Sequence, residues 1–258
     1  MRILVTNDDG INAPGLVALE AIAAELSDDV WVVAPAEEQS GAGHSLTLSQ
    51  PVRLREVSPR RFAVRGTPTD CVMLALGAVL EDHKPDLILS GVNRGGNLAE
   101  DVTYSGTVSA AMEGCLAGIR SVALSQVMMN YTAGQEDFST ATTHGAAVLR
   151  HVATIDWPSG VFININFPPV TADQVKGVRV TEQGFRDYGN IHLVKRTDPR
   201  GFPYYWHGFG KEKATPGHAT DLQAMHEAAI SVTPLHLDMT HFQTLEALRE
   251  SLAPLAEK

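Results

Sequence analysis

The most chemically suggestive residues in this sequence stand at its start. Asn7-Asp8-Asp9-Gly10 follows directly on an apolar run, Ile3-Leu4-Val5. Two adjacent ionised carboxylates repel each other, and a divalent cation removes that cost. Asp-Gly is also ordinary turn chemistry, so the pair reads equally as a solvated turn. A second polar block, Gln39-Ser40-Gly41-Ala42-Gly43-His44-Ser45, offers a neutral hydroxyl oxygen at Ser40. It also offers His44 as a candidate substrate contact or proton donor, against the simpler reading of a loop histidine. A third, Ser90-Gly91-Val92-Asn93-Arg94-Gly95-Gly96-Asn97, combines glycines that free backbone N–H groups with amides that bind a cation or a phosphate. The same composition suits a plain turn. A fourth, Ser105-Gly106-Thr107-Val108, opens an apolar helical pattern. Hydroxyls and free N–H groups at a helix start make a phosphate site, and Ser105 alone makes an N-cap. No Walker-type lysine accompanies it, which excludes a P-loop.

The elements that position these blocks alternate. Arg2–Thr6 reads as a buried strand, 14–26 as a helix with Asn12 as candidate N-cap, and 30–34 as a strand. Residues 52–57 and 62–65 read as a hairpin. Thr69 or Asp70 is expected to cap a helix running to Leu80. Strands are expected at 86–90, 121–124 and 161–166, with helices at Gly106–Leu116 and through 146–152. This succession predicts an α/β fold: a mostly parallel sheet with helices on both faces, hence three layers. The acidic pair and the Asn93 block then share the carboxyl edge of the sheet, where ligands bind in such folds.

After Phe185 the periodicity fails. Residues 186–220 carry Gly, Pro, Tyr and Trp without a lasting pattern, too long for an ordinary connection. They read as an extended hairpin arm, with Tyr204-Tyr205-Trp206 suited to subunit packing or to base stacking. A strand is expected at 230–234, completing a core over 1–185, and a helix at 245–252 within a C-terminal tail over 236–258.

Composition narrows the function. The chain has 258 residues and a net charge of −10, which excludes a protein that coats nucleic acid through a basic face. Cys71 and Cys115 stand in apolar stretches without a partner motif, as expected of reduced thiols in the cytoplasm. Neither a signal peptide nor a membrane span is expected.

Together and in order, the blocks Ile3–Gly10, Gln39–Thr47, Gly66-Thr67-Pro68-Thr69-Asp70-Cys71-Val72, Ser90–Asn97, Tyr104–Val108 and Ile230–Leu235 resemble the SurE family, the survival protein E nucleotidases. The resemblance implies a Rossmann-like core and one divalent metal per subunit, held by Asp8, Asp9, Ser40 and Asn93. All four are hard oxygen donors, which favours Mg²⁺ or Mn²⁺ over zinc. It implies nucleoside 5′- and 3′-monophosphates as substrates, with polyphosphate as a side activity. It also implies a dimer or tetramer that exchanges its arms. On this reading Asp8 and Asp9 are catalytic, and Asn93, Gly96, Asn97, Ser105, Gly106 and Thr107 hold phosphate. Direct attack by water and an aspartyl-phosphate route both remain open at this stage. A phospho-receiver module lacks its acceptor aspartate and lysine here. A dinucleotide-dependent oxidoreductase lacks Gly-x-Gly-x-x-Gly after the first strand. A nucleotide-binding protein without turnover is the remaining alternative.

Overall fold

The computed structural model describes residues 1–129, 136–186, 192–208 and 219–255. In chain order its strands are β1 (Arg2–Thr6), β2 (Asp29–Pro35), β3 (Arg53–Ser58), β4 (Arg61–Arg65), β5 (Leu87–Arg94), β6 (Arg120–Gln126), β7 (Val161–Phe167), β8 (Val178–Val180), β9 (His192–Thr197), β10 (Pro203–Gly208) and β11 (Ile230–His236). The helices are α1 (Pro14–Ala24), α2 (Pro68–Leu74), α3 (Gly106–Leu116), α4 (Ser139–Thr154), α5 (Asp221–His226) and α6 (Phe242–Leu252). Nine strands form one sheet in the order β3-β4-β2-β1-β5-β6-β7-β11-β8. From β4 to β7 every neighbouring pair is parallel, as the buried apolar runs predict.

Strand alternation sorts the core onto two faces. Ile3, Val5, Leu87, Leu89, Val122 and Leu124 pack with α1 and α4 through Leu16, Leu19, Ile22 and Leu149. Leu4, Val33 and Ile88 point the other way and meet Cys71 and Val72 of α2. Beside them Val108, Ala111 and Cys115 of α3 cover Ala123 and Phe162. Each fully buried Leu or Ile contributes about 1.5–3 kcal/mol, so both faces are strongly specified. Cys71 and Cys115 are free and buried.

The winding of the chain creates the crevice. From β1 the chain crosses through α1 to β2 on one side; from β5 it crosses through α3 to β6 on the other, over the opposite face. Neighbouring strands β1 and β5 therefore form a switch point, whose carboxyl edge is left open.

The helix starts differ from the expected caps. α1 begins at Pro14 after Ala13, and no side chain caps it, so Asn12 is not the N-cap. α2 is capped by Thr67, not by Thr69 or Asp70: Thr67 accepts from the Asp70 N–H while the Asp70 carboxylate accepts from the Thr67 N–H. This helix continues as one wider turn over Ala75–Val79. Short β8 and α5 were not expected. In the expected arm, β9 and β10 pair antiparallel as a separate hairpin, while 187–191 and 209–218 lie outside the described residues. β11 lies between β7 and β8 in the main sheet, antiparallel to the first. α6 buries none of its residues, and 256–258 at the end of the expected tail lie outside the described residues.

The base of the excursion after β8 is stitched to the core by Asp221, which is fully buried. Its carboxylate accepts from the N–H groups of Ala99, Gly184 and Leu222, each at 2.8 Å. Arg186 donates to Leu98 O at 3.2 Å and to the Asp101 carboxylate at 2.7 Å.

Gly91 sits where β5 reaches the crevice, with φ +135°. A Cβ there would stand 2.1 Å from Leu124 O of β6. Gly91→Ala is therefore expected to lose at least about 2 kcal/mol of stability. Urea unfolding checks this, and an unchanged midpoint would contradict the close approach.

Candidate active site

At the tip of β1 the Asn7 side chain closes the turn on Gly10. Its Nδ2 donates to Gly10 O at 2.9 Å and its Oδ1 accepts from Gly10 N at 3.2 Å. This turn carries Asp8 and Asp9. Asp8 is 4% exposed, and its Oδ1 accepts from Thr107 Oγ1 at 2.5 Å. The start of α3 approaches Asp8 so closely because Gly106 has no side chain. A Cβ there would lie 2.7 Å from the Asp8 Cβ and 3.0 Å from Pro68 Cγ. Ser105 is the N-cap of α3: its Oγ accepts from Val108 N at 3.0 Å. The expected anion cradle of Ser105, Gly106 and Thr107 thus abuts the acidic pair.

The other predicted residues gather around this edge. Gln39 N donates to Asp8 O at 2.8 Å, which brings the loop after β2 to the turn. On that loop Ser40 Oγ donates to Glu38 Oε1 at 2.7 Å. From β5, Asn93 donates its Nδ2 to Gly95 O at 2.9 Å, which leaves the amide oxygen as its remaining polar atom. The next residue, Arg94, donates its backbone N–H to Asp9 Oδ2 at 3.1 Å.

Two predicted residues have committed side chains. Asn97 donates its Nδ2 to Ser125 Oγ at 2.8 Å, its N–H to Asn166 Oδ1, and its carbonyl accepts from Asn164 and Asn166. It anchors the Gly95-Gly96 turn to the tips of β6 and β7. Gly96 itself packs on Val127. His44 pairs its Nε2 with Glu113 Oε2 at 2.9 Å. Glu113 lies six residues beyond Thr107, about 9 Å along the axis of α3. His44 therefore clasps the loop to the flank of α3 rather than to its start.

Sequence reasoning passed over Arg94, Glu38 and Glu136. The Arg94 guanidinium lies 3.1 Å from Glu38 and 3.3 Å from Glu136. The alternating Asn164-Ile165-Asn166 at the end of β7 was a readable signal for the anchor of Asn97, because polar residues rarely enter a buried strand without partners.

Electrostatics tests whether a divalent cation fits. Burial pushes the Asp8 carboxyl up from 3.8 to about 6; the Asp9 charge adds to this and the Thr107 hydrogen bond opposes it. Burial raises Asp9 as well, against the backbone N–H and charge of Arg94. Burial leaves both carboxylates costly to ionise, and a divalent cation would offset that cost. Among the described residues no group of three or more His, Cys, Asp or Glu is placed to hold a metal. A donor set drawn from this edge would combine two carboxylates with uncharged oxygens, which suits a hard cation. The residues present fit.

Comparison with known proteins agrees with the ordered blocks. The family described as "Survival protein SurE" matches residues 3–190. A protein of Erythrobacter litoralis named "5'-nucleotidase SurE" is 59% identical over 250 residues, 97% of this chain and 99% of that protein. One of Methylobacterium radiotolerans with the same name is 55% identical, over 98% of this chain and 100% of its own length. The crystal structure of the SurE protein from Aquifex aeolicus is similar with a TM-score of 0.82 and 38% identity, covering 97% of this chain and 99% of that one.

The raised Asp8 predicts a pH signature in metal-free protein. An acid whose folded pKa lies above its unfolded value stabilises the fold only while protonated. That contribution is full below about 3.8 and is lost as pH rises through about 6. The gap is worth up to about 3 kcal/mol. With chelator present, Asp8→Asn is expected to be more stable than the parent at pH 7.5 by a few kcal/mol at most, and by almost nothing at pH 4. Urea midpoints across pH check this.

Proposed function

From the premise that this chain belongs to the SurE family, we propose how it carries out its reaction, the hydrolysis of nucleoside monophosphates as a 5′-nucleotidase. In this reading Asp8, Asp9, Ser40 and Asn93 supply the oxygen donors for one divalent cation, Mg²⁺ or Mn²⁺. Two negative charges and two neutral donors balance its charge, so a phosphate dianion enters without meeting a net anionic site. The bound cation supplies charge neutralisation and Lewis acidity at the phosphoryl group.

The chain's own groups do the rest. Asp8, its Oδ1 fixed by Thr107, turns its other oxygen to the attacking water and takes its proton. The N–H groups at the start of α3 and the backbone at Gly96 hold the phosphate oxygens as charge moves to the leaving group, while the Thr107 hydroxyl spends its one proton on Asp8. Ser105 shapes this cradle through its cap. Asn97 contributes by anchoring the turn and not by its amide. Esters at the 3′ position and short polyphosphates present the same terminal phosphoryl group and belong to the same proposal. The observation that carries the reading is the acidic pair at a switch point, with the start of α3 hydrogen-bonded to it.

Two further expectations accompany it. Tyr205 and Trp206 of β10 are more than half exposed, as is Phe242 of α6. This supports an arm and a tail that pack on another subunit in a dimer or tetramer. The buried free thiols support a cytoplasmic location. Among the described residues no helix is long and apolar enough to cross a membrane.

The test is phosphate release from a series of nucleotides, with each divalent metal and with chelator. Asp8→Asn is expected to lower kcat by at least about 100-fold with metal present while the circular dichroism spectrum stays unchanged. Thr107→Val is expected to cost about 10-fold. Near-parental turnover in Asp8→Asn removes that residue from the chemistry.

A further inference from the structure

Arg94 touches the site at both its ends. Its backbone N–H holds Asp9 Oδ2 at 3.1 Å, while its guanidinium reaches over to Glu38, Nη2 to Oε1, at 3.1 Å. The same Glu38 oxygen accepts from Ser40 Oγ at 2.7 Å. Glu136 takes the other side of the guanidinium at 3.3 Å. Asp9, Glu38, Arg94 and Glu136 line one small cavity of about 110 Å³ beside the acidic pair. One connected path therefore runs from Asp9 through Arg94 and Glu38 to Ser40.

A serine hydroxyl is a weak and mobile cation donor. It carries one proton and two lone pairs, and it rotates freely unless something takes the proton. A carboxylate takes it well, because hydrogen bonds to ionised acceptors are the stronger kind. Once that proton points at Glu38, the lone pairs of Ser40 are left for another partner. Glu38 is itself half-exposed on a loop and would sample many rotamers alone. Arg94, planar and always charged, restrains it.

We infer that Glu38 is a positioning residue that orients the Ser40 oxygen toward the cation site, with Arg94 as the strut that couples Ser40 to Asp9. The inference rests on Ser40 being a cation donor, as proposed above. Glu38 needs no contact with the cation or with phosphate in this role. Groups that hold the ligands of a metal commonly govern its affinity by about 10-fold or more.

The experiment titrates Mn²⁺ alone into the full chain, read by calorimetry, for the parent, Ser40→Ala, Glu38→Ala, Glu38→Gln and the double variant Glu38→Ala/Ser40→Ala. Glu38→Ala is expected to raise the Mn²⁺ Kd about 10-fold. Glu38→Gln, which keeps an acceptor oxygen but gives up the charge that holds Arg94, is expected to recover part of that loss. The double variant is expected to bind no more weakly than Ser40→Ala, because Glu38 acts only through that hydroxyl. Urea midpoints of the two single Glu38 variants are expected to match the parent, since the side chain is half in solvent. An unchanged Kd in Glu38→Ala overturns the inference. So do losses that multiply in the double variant, or Glu38→Gln binding no better than Glu38→Ala, since either makes Glu38 act at long range or as a direct donor and not through the Ser40 hydroxyl. An unchanged Kd in Ser40→Ala has a different meaning: it removes Ser40 from the donor set, and the inference falls with that earlier reading.

Discussion

The contact on which the site depends is the meeting of the β1 tip with the first turn of α3. It joins residues 99 positions apart in sequence through one short hydrogen bond, from Thr107 to Asp8. Two facts of covalent structure permit it. Gly106 brings no Cβ to the contact, and Thr107 presents a hydroxyl where an apolar β-branched residue of the same shape would offer nothing. Burial at this contact raises the Asp8 pKa against the opposing hydrogen bond from Thr107, and the contact sets the N-terminal end of α3 against that carboxylate. Burying a carboxylate costs free energy unless a cation shares the space. Without a cation beside it, the same residue is therefore a weak point of the fold.

Around this contact the loops are held in place by side-chain hydrogen bonds. Asn97 is tied to Ser125, Asn164 and Asn166 at the ends of β6 and β7. Asp70 accepts from Thr47 Oγ1 at 2.6 Å and from Thr67 N at 2.8 Å, joining the end of the Ser40 loop to the cap of α2. His44 fastens the middle of that loop to α3. Reactive loops on the edge of a sheet tend to move. Here each carries at least one side-chain bond to a strand or helix that is itself buried.

Much of this was legible because it was local. β1 and α3 appear with the bounds that periodicity predicted, and the acidic pair falls on the predicted strand edge. The failures have physical reasons. The Thr67-x-x-Asp70 spacing is a capping signature, yet the apolar pattern points to a cap two or three residues late, because Pro68 is itself the first helical residue. Asn12 looked like a cap, but α1 starts without one and relies on Pro14. β8 is three residues long and exposed, and α5 is six residues long, so neither leaves a periodic trace. Glu38 and Glu136 stand 56 and 42 positions from Arg94, and pairings at such distance have no local signature. In the sequence Arg94 is only a basic residue inside an Asn-Gly turn.

The placement of β11 changes what the long excursion is. The chain leaves the main sheet at β8, makes its hairpin, and returns to the same sheet edge as the neighbouring strand, with Ile230 opposite Val178. The excursion is thus an insertion clamped at both feet by Asp221 and Arg186, and not a dangling extension. Its span can grow or shrink while both feet stay planted. The architecture separates two parts of one chain: the inserted stretch can change in length, and the carboxyl edge of β1 keeps its shape throughout.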